Sequence, residues 1–198
     1  MGLMVHSLQN IPESKNRDYL IYLLDYGWDE PISKALRDNF DKMAEIAAKS
    51  RAVVIKGTEL AHFENEVFSW HHINNEDADE LLPALLITNK HPKYFLENNN
   101  GSFGKRGLVR ADEHDDMKLI LIPMKRFCRT TTEVVNLIQK VFSDIVNKRD
   151  LSEFQIAKEM KKGVGSALVD ALIMEPNISG VGFSFKKFFS YLSQNRKS

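Results

Sequence analysis

Six consecutive apolar or aromatic residues, Tyr19-Leu20-Ile21-Tyr22-Leu23-Leu24, lead through Asp25 and Tyr26-Gly27 into Trp28-Asp29-Glu30-Pro31-Ile32. A run this short and rich in aromatic and aliphatic residues reads as a buried strand from Asp18 to Leu24, closed by Tyr26-Gly27. Pro31 suits the first turn of a helix, where the N–H that proline lacks would have no intrahelical partner. Asp29 and Glu30 beside it complement the positive end of the helix dipole. The spacing predicts a helix running to about Lys49. Ile32, Leu36, Phe40, Met43 and Ala47 recur at intervals of three and four and share one buried face, leaving Lys34, Arg37, Asp38, Asp41 and Glu45 in water. Such a helix packs on a sheet.

Further along, Ala52-Val53-Val54-Ile55 reads as a second strand ended by Gly57, and Phe63 to Trp70 as a short helix. Leu81-Leu82-Pro83 introduces a third strand, Ala84 to Ile87, and Lys118 to Ile122 forms a fourth. Thr131 or Thr132 is placed to cap a helix through Val134, Leu137, Ile138, Val141, Phe142 and Ile145. That helix is apolar over more than one stripe and is expected to pack against two neighbours. Roughly thirty polar residues separate the last two strands, a length typical of functional or mobile loops. Residues 1–17 read as an irregular leader in which Leu3, Val5 and Leu8 allow a short edge strand. Residues 148–198 read as an extension, with a helix from Ser152, an apolar segment at Ala167 to Met174, a glycine-punctuated strand at Ile178 to Phe185 and a final basic helix.

This order, strand, Trp-x-x-Pro turn, helix, strand, helix, proline-led strand, strand, helix, resembles the thioredoxin fold over residues 18–147. The family's Trp-Cys-Gly-Pro-Cys turn looks like Trp28-Asp29-Glu30-Pro31-Ile32, and its proline-led third strand looks like Pro83-Ala84-Leu85-Leu86-Ile87. The resemblance implies an α/β, thioredoxin-like three-layer sandwich with an α+β extension at 148–198, in which Pro83 is cis and borders a binding groove. It also implies that thiol-disulfide exchange is lost, because Asp29 and Ile32 occupy the positions of the two thiols and neither side chain can exchange disulfides. A flavodoxin-like or TIR-like sandwich is the competing architecture.

Composition narrows the function classes. The formal net charge is zero, so no whole-molecule field draws the chain to nucleic acid or anionic lipid. Residues 1–128 carry 16 Lys and Arg against 20 Asp and Glu, and residues 129–198 carry 11 against 7, so the C-terminal third is mildly basic. The apolar runs fall short of the roughly 20 residues of a membrane span, and the N-terminus has no apolar signal-peptide core. A cytoplasmic location is therefore expected. The single cysteine, Cys128, fits a reducing compartment and is read as a buried core thiol.

His62, Glu64, Glu66, His71 and His72 are metal-capable side chains, but their spacing matches no HExxH pattern and they read as solvated polar groups; no metal and no cofactor is expected. Gly101 to Gly107, with Gly104, Lys105 and Arg106 as the phosphate-binding candidates, offers backbone donors and two cations without Walker spacing. Lys158, Lys161, Lys162, Lys186, Lys187, Arg196 and Lys197 surround Phe185, Phe188, Phe189 and Tyr191, a mixture compatible with nucleic acid. The aromatic spacing more simply docks a terminal helix.

The leading expectation is a non-redox protein-interaction module. Trp28, Asp29, Glu30, Leu82 and Pro83 would line a partner-binding edge and Phe103 would modify access to it. A subunit of a bacterial multi-protein complex, of a stress or defence system, is the setting considered, although no residue demonstrates it. The alternative is a small-ligand or nucleotide-using α/β enzyme or receptor built on Asp29 or Glu30 with His71 or His72. Nucleic-acid binding by the basic C-terminus is a third reading.

Overall fold

The computed structural model describes residues 1–13, 16–71, 73, 81–99 and 119–156. Five strands form one mixed sheet: β1 (Gly2–Val5), β2 (Tyr19–Leu24), β3 (Ala52–Gly57), β4 (Ala84–Thr88) and β5 (Leu119–Pro123). They lie in the order β1-β3-β2-β4-β5. β3 runs parallel to β1 and β2, whereas β4 is antiparallel to both β2 and β5. All residues of β2, β4 and β5 are buried, which accounts for their unbroken apolar sequences. Within residues 1–17, the edge strand is the reading that holds at Gly2–Val5, while Leu8 lies instead in a 3₁₀ turn, Leu8–Asn10.

Helices α1 (Pro31–Asp38), α2 (Phe40–Lys49), α3 (Leu60–Trp70), α4 (Pro92–Asn99), α5 (Met124–Phe127) and α6 (Thr131–Val146) complete the fold. They cover both faces of the sheet. A Cβ on Gly2 would meet Ala44 and Phe40 of α2, whereas one on Gly57 would meet Phe63 of α3. Gly2 stands opposite Val54 in the register, three residues from Gly57 on β3, and an odd separation along a strand points to opposite faces. α6 packs on both α1 and α2, as its two apolar stripes predict.

Three features differ from the sequence reading. The helix expected from Pro31 to Lys49 is two helices broken at Asn39, whose side-chain amide donates to the Ala35 carbonyl at 2.8 Å. The break leaves the apolar face usable, because Leu36, Phe40, Met43 and Ala47 remain buried. The cap of α6 is Thr130 rather than Thr131 or Thr132: its hydroxyl accepts from the Glu133 N–H while the Glu133 carboxylate accepts from the Thr130 N–H, a reciprocal capping box. The polar stretch before β5 contains α4. Near the end of the described residues, Leu151, Phe154 and Ile156 are buried. Buried Asp144 fastens them, pairing with Arg149 at 2.9 Å and accepting from the Gln155 N–H at 2.6 Å.

Cys128 is buried, and that burial, with the Glu133 carboxylate second, pushes its thiol up to about 11. A thiol so protonated is a core group and a poor nucleophile. No described helix is long and apolar enough to cross a membrane.

Gly57 ends β3 where α3 crosses closest, and a Cβ there would lie 2.4 Å from Phe63 Cβ. Gly57→Ala is expected to lower the unfolding free energy by about 1–3 kcal/mol, the ordinary cost of overpacking. Urea denaturation measures it; an unchanged midpoint would contradict the packing described.

Candidate functional site

The register brings four chain segments to one end of the sheet. Leu24 pairs with Ala84 and Ala84 with Pro123. The residues that follow β2, precede β4 and follow β5 therefore converge there, beside the C-terminal end of β3. Open α/β sheets place their sites outside strand ends of this kind. The Leu82–Pro83 peptide, which is cis, lies at this edge.

A buried polar network shapes the turn after β2. Asp25 is fully buried and its carboxylate accepts from the Gly27 N–H at 3.1 Å. Arg37 of α1 donates to the other carboxylate oxygen in a close ion pair. The same guanidinium sends both terminal nitrogens to the Trp28 carbonyl, each at 3.1 Å. From the opposite layer, Glu64 of α3 accepts from the Asp25 N–H at 2.9 Å. Gly27 adopts φ +81, and a Cβ there would press on Leu60 at 2.8 Å, so the turn needs glycine for conformation and for space. Arg37, expected to lie free in water, is thus the strut between α1 and the turn.

Trp28 itself is half-buried. Tyr26 meets it edge-on at 5.5 Å. The Lys125 ammonium, from α5, sits 4.5 Å from its ring centroid and bonds the Glu30 carboxylate at 2.8 Å. Glu30 occupies the cap position of α1, yet its side chain makes no capping bond; it goes to Lys125 instead. Asp29 is exposed. A shallow depression of about 390 Å³ opens beside the turn, with Asp29, Glu30 and Asp38 facing it against Lys34 alone among its charged described residues. The depression is acidic, and the cation-capped indole belongs to the residue that precedes Asp29.

Of the residues expected at this edge, Trp28, Asp29 and Glu30 are accessible, whereas Leu82 and Pro83 are buried. Leu82 and Pro83 therefore wall the edge from within. Pro83 supports the neighbouring element through its carbonyl, which accepts from the Met124 N–H at 2.8 Å. Phe103, Gly104, Lys105 and Arg106, together with His72 and every residue of the basic C-terminal patch, lie outside the described residues.

The metal-capable cluster does not assemble. Glu64 turns inward to Asp25, Glu66 accepts from the Ser7 hydroxyl and the Leu8 N–H, each at 2.7 Å, and His71 is buried against Phe95 and Tyr22. Among the described residues no three His, Cys, Asp or Glu side chains gather as for a metal. His71 is buried whereas Asp29 is exposed, so the two do not share a surface.

The Asp25–Arg37–Glu64 network is what sequence reasoning missed. Two signals were present: an aspartate directly after a six-residue buried run, and a glutamate between Phe63 and Val67 on the apolar face of α3.

Comparison of the chain with known protein families, curated proteins and solved structures finds no match.

Burial raises the Glu64 carboxyl from its ordinary 4.5 to about 7, the Asp25 N–H bond opposing that shift in part. Its second oxygen is buried without a partner, as suits a protonated acid. Between those two values the native protein holds a proton that the unfolded chain has released. The Glu64 contribution to stability is therefore greatest at the acid end and falls as pH rises from about 4.5 to about 7. Glu64→Gln, which keeps the acceptor for Asp25, should flatten the stability profile across this window in urea unfolding; parallel profiles for the two proteins would refute the assignment.

Proposed function

We propose that this chain is a non-redox, thioredoxin-like protein-interaction module that grips a partner polypeptide at the Trp28 turn. The order of elements supports the fold: a strand, the Trp-x-x-Pro turn, helices, a strand, a helix, the strand led by Pro83, a strand and a final helix. The residues at the former thiol positions are Asp29 and Ile32, which leaves recognition rather than disulfide exchange as the use of the edge.

One observation carries this reading. Arg37, held by buried Asp25, clamps the Trp28 carbonyl while the indole stays partly accessible, and the next two residues, Asp29 and Glu30, line an acidic depression. An aromatic anchor whose backbone is fixed in advance loses little entropy on binding, and Trp is a favoured anchor at protein interfaces. The acidic lining selects the partner's charge: Asp29 and Asp38 suit a segment bearing Lys or Arg. Lys125 is the element that such a segment would meet over the indole, and its bond to Glu30 keeps the ring's face ordered in the free protein.

The test is gentle purification from the native host followed by mass spectrometry of retained polypeptides. Wild-type protein is expected to retain one polypeptide in stoichiometric amount, and Trp28→Ala or Asp29→Lys to reduce its recovery by about tenfold or more, the loss typical of an interface anchor. Equal recovery by both variants, or a wild-type preparation that holds no polypeptide, would overturn the reading.

A further inference from the structure

The end of the sheet remote from Trp28 carries a second concavity. β2 is six residues long, which separates its two ends by roughly 20 Å. At the Tyr19 end a cleft of about 700 Å³ lies between the N-terminal segment and the residues after β4, within the volume range of small-molecule sites. Its lining includes the apolar side chains of Leu3, Ile11, Leu20 and Val53 and the half-buried ring of Tyr94.

Its charge is one-sided. Counting side chains among the described lining residues, Arg17, Lys90 and Lys93 stand against Glu13 alone, three cations less one carboxylate. Glu13 is matched to Lys93 at 2.5 Å, so Arg17 and Lys90 remain as the unbalanced pair. His91 is held in place at the cleft, with its Nε2 3.0 Å from the Ile11 carbonyl and its Nδ1 3.3 Å from the Lys93 backbone nitrogen.

Arg17 is poorly satisfied. Its Nε is buried without a hydrogen-bond partner, and a terminal nitrogen reaches only the Met1 sulfur at 3.5 Å, a weak acceptor. A guanidinium held in this way costs free energy that an incoming anion would recover, and its planar fork matches two phosphate oxygens. Lys90 is kept at the cleft with its ammonium 5.7 Å from the Tyr94 ring centroid.

We propose that this cleft binds a phosphate monoester carried on a planar, largely apolar body, as in a mononucleotide. The two unbalanced cations match a dianionic phosphate, with Arg17 and Lys90 as its ligands, and the base lies on the apolar lining beside Tyr94. The site is separate from the Trp28 edge and does not depend on its role.

Isothermal titration calorimetry of the full chain with AMP tests the assignment, with adenosine and inorganic phosphate as partial ligands. AMP is expected to bind, adenosine and phosphate each to bind about tenfold or more weakly, and Arg17→Met and Lys90→Met each to weaken AMP by a similar factor, as for loss of a charge-assisted bond. Lys42→Met, on the exposed face of α2, should change nothing. Lys90→Met serves as the decisive variant if Arg17→Met fails to fold. The absence of AMP binding at millimolar concentration, adenosine binding as tightly as AMP, or AMP binding that survives Lys90→Met but is lost with Lys105→Ala would overturn the proposal.

Discussion

The organisation of this protein turns on a carboxylate buried at the end of its central strand. Asp25 has no exposed surface, and a charge in such a place persists only when it is paired and hydrogen-bonded. Arg37 supplies the counter-charge and the Gly27 N–H a further bond. The geometry that satisfies Asp25 also fixes the chain that follows: the Arg37 nitrogen that pairs with it also donates to the Trp28 carbonyl, together with the second terminal nitrogen. The network contributes shape to the turn more than it contributes stability, since well-packed apolar replacements of buried ion pairs are often as stable.

That carboxylate also ties the layers together. Arg37 comes from the helix after β2 and Glu64 from the helix on the opposite face, so the turn is held from both sides of the sheet at once. The antiparallel pairing of β2, β4 and β5 then brings Pro83 and Lys125 to the same edge. An accessible indole is costly to leave unsupported, and here Tyr26, Lys125 and the Arg37 clamp each restrict it.

Much of this was legible in sequence where a local pattern decides the outcome. The runs at Tyr19–Leu24, Ala84–Thr88 and Leu119–Pro123 are buried throughout and could be read as strands from apolarity and length alone. The face of Leu36, Phe40, Met43 and Ala47 followed from spacing, but the break at Asn39 did not, because the periodicity continues through it and only the amide's bond to Ala35 marks the interruption. Arg37 falls on the polar side of that periodicity, and nothing local announces that a buried acid waits twelve residues earlier. Glu64 and Asp25 were each anomalous in place, a carboxylate among apolar neighbours. Their partnership depends on α3 crossing the end of β2, which is a tertiary fact. Lys125 over Trp28 is likewise a product of strand register and not of any motif.

The central claim is that the Asp25–Arg37 pair holds the Trp28 turn in its shape. It is tested most directly in a Trp70→Phe background, where Trp28 is the sole tryptophan, by comparing emission maximum and acrylamide quenching with and without Asp25→Asn and Arg37→Met together. The double change removes both charges, so neither is left buried alone. The account predicts a red-shifted, more readily quenched indole in a protein that still unfolds cooperatively. An indole unchanged in both properties would contradict it.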